Sequence, residues 1–303
     1  VFFSNLKYKI PKNMSNAKMT PDVLFEASWE VCNKIGGIHT VIATKAETAT
    51  RKFGDHYLLI GPDLQHEGVN PEFEEDVNLL KNWRQAVYEK GIRIRIGRWK
   101  IKSAPIAILV DFTSLFSQKD EILKNLWEDY HVDSISGQWD YIEPVLFGYA
   151  AGTVIASYVE HFCTSTEKVA AHFHEWMTAA GGLYLRKASP YVATLFTTHA
   201  TVMGRCIAGN HLPLYNDLTR FNADELARQF NVMAKHSIEK SAAAYHDGFL
   251  TVSDITANEC KYLLNREPDS VTPNGFENDF VWTGEEYDTK RREARHAMIE
   301  VAE

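Results

Sequence analysis

Cysteine is scarce in this chain. Cys32, Cys163, Cys206 and Cys260 are the only four in 303 residues, and no two stand at CxxC spacing. They fit free thiols in a reducing cytoplasm better than a disulfide framework. Positive charge is short as well. Lys and Arg number 32 against 40 Asp and Glu, a net charge of −8, which argues against a general attraction to nucleic acid or to an anionic membrane. No uniformly apolar run approaches ~20 residues, so no membrane span is expected. GxSxG, Walker A and GxGxxG are all missing, and no activated Cys–His pair stands out. Nucleophilic hydrolysis and dinucleotide chemistry are therefore weak readings.

At 45% hydrophobic and 24% charged, the composition is that of an ordinary globular protein, long enough for one large domain or two modest ones. Residues 1–22 are basic and open on a short apolar trio, without the long apolar core of a secretory signal. They read as a leader or tag-like segment, and the fold is expected to begin at Val23. Apolar strand-like runs then recur at 23, 56, 92, 105, 169, 192, 248 and 270. Helix-length segments lie between them, the clearest at Ile142–Val159, Trp176–Lys187, Ala223–His246 and Ile255–Leu264. This alternation predicts a mostly parallel sheet covered on both faces. "IRIRIGRW" alternates strictly and predicts an antiparallel, half-exposed strand. Residues 117–144 and 201–221 show no sustained period and read as irregular connections near the strand ends. Residues 284–303 read as a charged helix.

Two adjacent glycines, Gly36 and Gly37, stand where a strand gives way to the helical run "IHTVIATKAETATRKF". Either the turn needs glycine for its dihedrals, or backbone N–H groups at the helix start meet an anion. These residues alone leave the two readings level. Further on, "HFHEWM" and "LFTTHAT" each end an apolar strand. His172 and His174 share a strand face. No carboxylate or Cys at ligand spacing accompanies them, so a metal is not expected, and His172 reads as a buried histidine bonded to backbone. His174, Glu175 and Trp176 at one strand end, with His199 at another, are suitable parts for a sugar site at the carboxyl edge of a parallel sheet. Ser253 or Asp254 reads as a helix cap. Asn274, in the turn signature "TPNG", is either a turn former or a site residue.

Taken together, "LFEASWEVCNKIGGIHTVI", "YLLIGPD", "SGQWDYIEPVLFGYAAG", "HFHEWM", "FTTHATVMGR" and "VSDITANE…VTPNG" resemble glycogen synthases, over residues ~23 to ~300 in order. The pattern looks like the branch that includes the animal and yeast enzymes, in the manner of its bacterial members. The resemblance implies an α/β fold: a doubly wound, Rossmann-like domain over 23–275, the N-terminal half of a two-Rossmann-domain (GT-B type) glycosyltransferase. Residues 276–303 would be a linker and helix leading to a C-terminal domain absent from this sequence.

The implied activity is retaining transfer of glucose from a sugar nucleotide, UDP-glucose, to the non-reducing end of an α-1,4-glucan such as glycogen, in the cytoplasm. No metal or other cofactor is implied. By the same resemblance His199 and Glu175 are the catalytic-site residues, and Lys34, Gly36, Gly37 and Asn274 lie at the donor. His174 and Arg205 are further substrate-binding candidates, although Arg205 serves equally well to tie down the 201–221 loop. The half that grips the donor pyrophosphate in relatives does not follow Glu303, so the isolated chain is expected to be inactive. The aromatic residues of 127–149 suggest homo-oligomers. The competing reading is a non-catalytic glucan-binding or interaction module.

Overall fold

The structure is a computed structural model and describes residues 19–65, 68–275 and 282–302. The apolar runs form strands β1 (Val23–Ala27), β2 (Tyr57–Pro62), β5 (Ile106–Asp111), β6 (Val169–His174), β7 (Ala193–Thr198), β8 (Gly248–Thr251) and the two-residue β9 (Ser270–Val271). All of them are parallel. Strands buried on both sides show little polar alternation, and β2 is buried at every position. The alternating run is β4 (Arg93–Trp99), antiparallel to β5 as its pattern predicts, and also to β3 (Phe73–Glu75). β3 has no sequence signal, since it is three residues long and only Phe73 is buried. The nine strands form one sheet in the order β3-β4-β5-β2-β1-β6-β7-β8-β9.

Strand alternation divides the side chains between two faces. Phe25, Ile60, Ile108, Phe173 and Phe196 point to the larger core. It is covered by α2 (Lys81–Glu89), α3 (Lys119–Tyr130), α4 (Trp139–Phe162), α5 (Ala179–Ala188) and α8 (Met233–Tyr245). Tyr57, Leu59, Ala107 and Leu109 point the other way, where α1 (Gly37–Phe53) packs Ile42, Ala46 and Ala49 onto them. The second face is therefore covered less completely than expected. α1 roofs β1, β2 and β5, whereas His172 and Leu195, on the part made by β6 and β7, line open clefts. α4 also modifies the sequence reading, being long and apolar enough to cross a bilayer by composition. However, 72% of its apolar window is buried inside the protein, which makes it a core helix. It crosses α5 at glycines so closely that a Cβ on Gly152 would meet the Gly181 carbonyl oxygen at 2.5 Å.

Three other expectations change. Residues 117–144 are largely regular, because they hold α3, ended by His131 in the left-handed region at φ 58°, and after residues 131–138 the start of α4. Residues 201–221 begin with α6 (Val202–Gly209). The predicted helix 223–246 is two helices, α7 (Ala223–Gln229) and α8, broken where Asn231 takes φ 56°. Asn is one of the few residues that tolerate that conformation, but its presence gives no periodic warning. α9 (Asp254–Leu263) is capped by Ser253, whose hydroxyl accepts from the Thr256 N–H at 3.1 Å. The charged run forms α10 (Glu285–Ala302), exposed along its length. Residues 1–18 of the leader segment and 276–281 of the linker lie outside the described residues.

Candidate active site

From β1 the chain steps outward to β2 and β5 on one side, then returns to lay β6, β7, β8 and β9 on the other. The switch point lies between β1 and β6, where the carboxyl ends of a doubly wound sheet leave a crevice for ligands. Register places Glu26 of β1 opposite His172 of β6, and His174 opposite Thr197 of β7. The period of two puts Glu26, His172 and His174 on one face, the same face as Tyr57 and α1.

Glu26 is 1% exposed and organises this point. Its Oε1 accepts from Lys45 Nζ of α1 and lies 2.6 Å from His174 Nε2, while its Oε2 accepts from the Tyr57 hydroxyl. Burial pushes the Glu26 carboxyl up, but the Lys45 ammonium, the His174 bond and the two imidazoles overcome that and hold it well below the usual range. His174 Nδ1 lies 3.0 Å from His199 Nε2. His172 is bonded not to backbone, as expected, but to Thr197 Oγ1 at 2.7 Å. Burial lowers all three histidines, His199 to about 3.

The sequence offered no carboxylate partner for His172 and His174, whereas the fold supplies one. Ligand atoms of Glu26, His172 and His174 lie within 4.8 Å of one another, a set that could hold a metal. The Lys45 ammonium already stands on the shared carboxylate oxygen, where it supplies positive charge.

His172, His174, His199 and Asn274 line one cleft of about 420 Å³, between α1 and the ends of β6, β7 and β8. The other sequence candidates do not line it. Glu175 sits behind His199, only 6% exposed, with Oε1 accepting the N–H of His199 at 2.8 Å and of Ala200 at 3.4 Å. Burial foremost raises its carboxyl above the usual value. Its backbone is left-handed at φ 64°, a conformation that costs a residue with a Cβ about 1–3 kcal/mol. The bond from its N–H to the Thr197 carbonyl at 2.8 Å helps hold it there. Trp176 is engaged rather than free, stacked on Tyr141 at 6.0 Å with the Lys235 ammonium 5.5 Å from its ring centre. Arg205 is exposed on α6, and its charge acts on both His199 and Glu175.

The glycine pair lies at the start of α1, and Lys34, Gly36 and Gly37 are all exposed. Positive φ is not the reason for either glycine, since Gly36 is extended at φ −140° and Gly37 is the first helical residue. Gly36 is the more closely approached of the two: a Cβ there would meet Glu30 Oε1 at 2.9 Å, whereas one on Gly37 would meet nothing within 4 Å. Glu30 Oε2 accepts the N–H of Gly36 and of His39, each at 2.9 Å. The anion at this helix start is thus supplied by the chain itself. A carboxyl group also meets the start of α6. Glu239 of α8, buried and raised to about 8 by desolvation foremost and then by the Glu175 charge, accepts from Val202 N at 2.9 Å and Thr198 Oγ1 at 2.7 Å.

Sequence reasoning missed Glu26, Glu30, Lys45, Tyr57 and Glu239. One signal was available. A glutamate inside the apolar run "VLFEAS" is costly to bury unpaired, so its presence there demanded partners.

The chain is a doubly wound α/β domain with a histidine-lined crevice at its switch point, the place where open parallel sheets of this class take ligands. A family model described as glycogen synthase matches residues 26–289, and the chain belongs to that family. It is 37% identical over 257 residues to the glycogen [starch] synthase of Neurospora crassa, covering 84% of this chain and 36% of that protein. It is 35% identical over 256 residues to the human liver glycogen [starch] synthase, with the same 84% and 36% coverage. The chain thus spans about a third of the length of these relatives. Among solved structures, the catalytic domain of starch synthase IV from Arabidopsis thaliana, bound to ADP and acarbose, aligns with TM-score 0.44 at 14% identity, over 86% of this chain and 53% of that one. A trehalose-6-phosphate synthase from Burkholderia multivorans aligns with TM-score 0.42 at 11% identity, over 90% and 55%.

Proposed function

We propose that this chain is the N-terminal, sugar-binding half of a two-domain retaining glucosyltransferase, which moves glucose from a sugar nucleotide, UDP-glucose, to the non-reducing end of an α-1,4-glucan. The observation that carries the proposal is the convergence of His174, His199 and Asn274 on one cleft at the switch point, in a chain of the glycogen synthase family. Neutral imidazole and a side-chain amide match sugar hydroxyls without requiring charge. The Glu26 charge is offset within the protein by Lys45, so the proposal calls for no metal.

In this reading Glu175 acts through His199, holding the β7–α6 turn by its backbone. The α1 N-terminus approaches the donor with Glu30 already on its N–H groups. Hydroxyls can donate to that carboxylate, whereas a phosphate would have to displace it. The test is binding to the purified chain, followed by calorimetry with UDP-glucose, UDP and maltoheptaose. The expected result is saturable binding of a sugar-bearing ligand that His199→Ala or Asn274→Ala weakens. Glucan binding unaffected by both variants would favour a non-catalytic glucan-binding module.

A further inference from the structure

The bonds at the switch point form a directional chain, and its direction follows from proton counting. A carboxylate can only accept, and both Glu26 oxygens are engaged, Oε2 by the Tyr57 hydroxyl and Oε1 by Lys45 and His174 Nε2. The His174 proton therefore sits on Nε2, and its Nδ1 carries a lone pair. That lone pair faces His199 Nε2 at 3.0 Å, so the bond requires the hydrogen on His199 Nε2. His199 Nδ1 is then the unprotonated ring nitrogen.

We propose that Glu26 and His174 are positioning residues that fix the His199 tautomer, so that His199 presents Nδ1 to the cleft as a hydrogen-bond acceptor. The matching ligand group is a donor, the hydroxyl of a sugar. Carbonyl and phosphate oxygens offer no hydrogen there. The imidazole at this strand end thus accepts at the cleft and spends its only proton on His174.

The opposite direction would need a cationic His174, donating from both nitrogens and leaving His199 to donate into the cleft. That would put a second cation on a carboxylate already paired with Lys45, at a ring only 2% exposed. Burial disfavours the charged form of such a ring, and it holds His174 and His199 below the ordinary histidine range. The groups acting on His199 come from each surrounding element: the Lys45 ammonium from α1, the Glu26 carboxylate from β1, the neutral His174 ring from β6 and the Arg205 guanidinium from α6. Burial is the foremost cause that opposes protonation of His199, with Lys45 and Arg205 acting in the same direction and Glu26 against it. Thr197 fixes His172 separately, through a bond of 2.7 Å, and leaves the relay linear.

The consequence for ligand choice rests on reading the cleft as a sugar site, whereas the relay itself does not. The test therefore uses the ligand-free chain, labelled with ¹⁵N-histidine, and long-range proton–nitrogen spectra at neutral pH. These distinguish protonated from unprotonated ring nitrogens, with His199 assigned by its loss in His199→Gln. The expected spectrum has His199 protonated at Nε2 and bare at Nδ1, with His174 in the same tautomer. A His199 protonated at Nδ1, or at both nitrogens, overturns the proposal. In Glu26→Gln, or in His174→Phe if the first is unstable, the two His199 nitrogens should move towards a shared, averaged position. The His236 and His246 signals should stay unchanged. A folded variant in which His199 keeps a single tautomer would remove the positioning role.

Discussion

Glu239 makes the clearest residue-scale case, because its environment is set by geometry alone. It is 0% exposed, beside the Glu175 carboxylate, and its carboxyl is raised from the ordinary 4.5 to about 8. The sign follows from linkage. Between those values the folded protein holds a proton that the unfolded chain has released, so stability falls as pH rises from about 4.5 through 8. Glutamine keeps an acceptor for the Val202 N–H and does not titrate. Glu239→Gln should therefore gain in melting temperature over the wild type progressively from pH 5 to pH 8. A constant difference across that range would show that Glu239 is not the group responsible. Glu239 could not be read from sequence, since "HSIEKSAAAY" is an ordinary helical pattern and only the packing of α8 beneath the β7–α6 turn isolates its carboxyl. His174 and His199 were legible as site candidates, because a histidine closing an apolar strand is conspicuous. Their bond to each other was not, because it depends on β6–β7 register.

At the scale of elements, the start of α1 separates the two glycines. In Gly36→Ala the new Cβ would crowd Glu30 Oε1 and displace the carboxylate that caps Gly36 and His39. Losing a cap of this kind costs about 1 kcal/mol. Gly37→Ala enters open space at a helical position and should stabilise by up to about 1 kcal/mol. Urea melts should therefore order the three proteins Gly37→Ala, wild type, Gly36→Ala, from most to least stable. Equal losses in both variants would contradict the capping role of Glu30. The parallel strands and the antiparallel β4 were readable because burial on two faces, or on one, writes itself into the pattern. β3 was too short for a period, and the α7–α8 break is set by one left-handed asparagine. The clusters of aromatic residues misled in the opposite direction. Tyr130, Tyr141 and Phe147 are core, and Trp127 and Trp139 remain half exposed at 50% and 53%.

On the scale of the whole molecule, those two tryptophans are what is left of the predicted association surface. We propose modest self-association through them, so light scattering on the purified chain should show a mass that rises with concentration, and that rise should disappear in Trp127→Ser/Trp139→Ser. A strict monomer at high concentration would count against it. Among the described residues the sheet presents its histidine-lined crevice where α1 alone roofs the second face, and a cleft open on that side is suited to closure by another domain. The central claim is that this crevice serves glucosyl transfer. It is tested most directly by the incorporation of glucose from radiolabelled UDP-glucose into glycogen, measured for the intact gene product that carries this sequence and for its His199→Ala variant, with melting curves on the same preparations. The account predicts incorporation by the wild type and a kcat lower by roughly 10²-fold or more in the variant, at nearly unchanged melting temperature. A folded wild type without incorporation, or a variant that melts early but keeps a near-normal kcat, would contradict it.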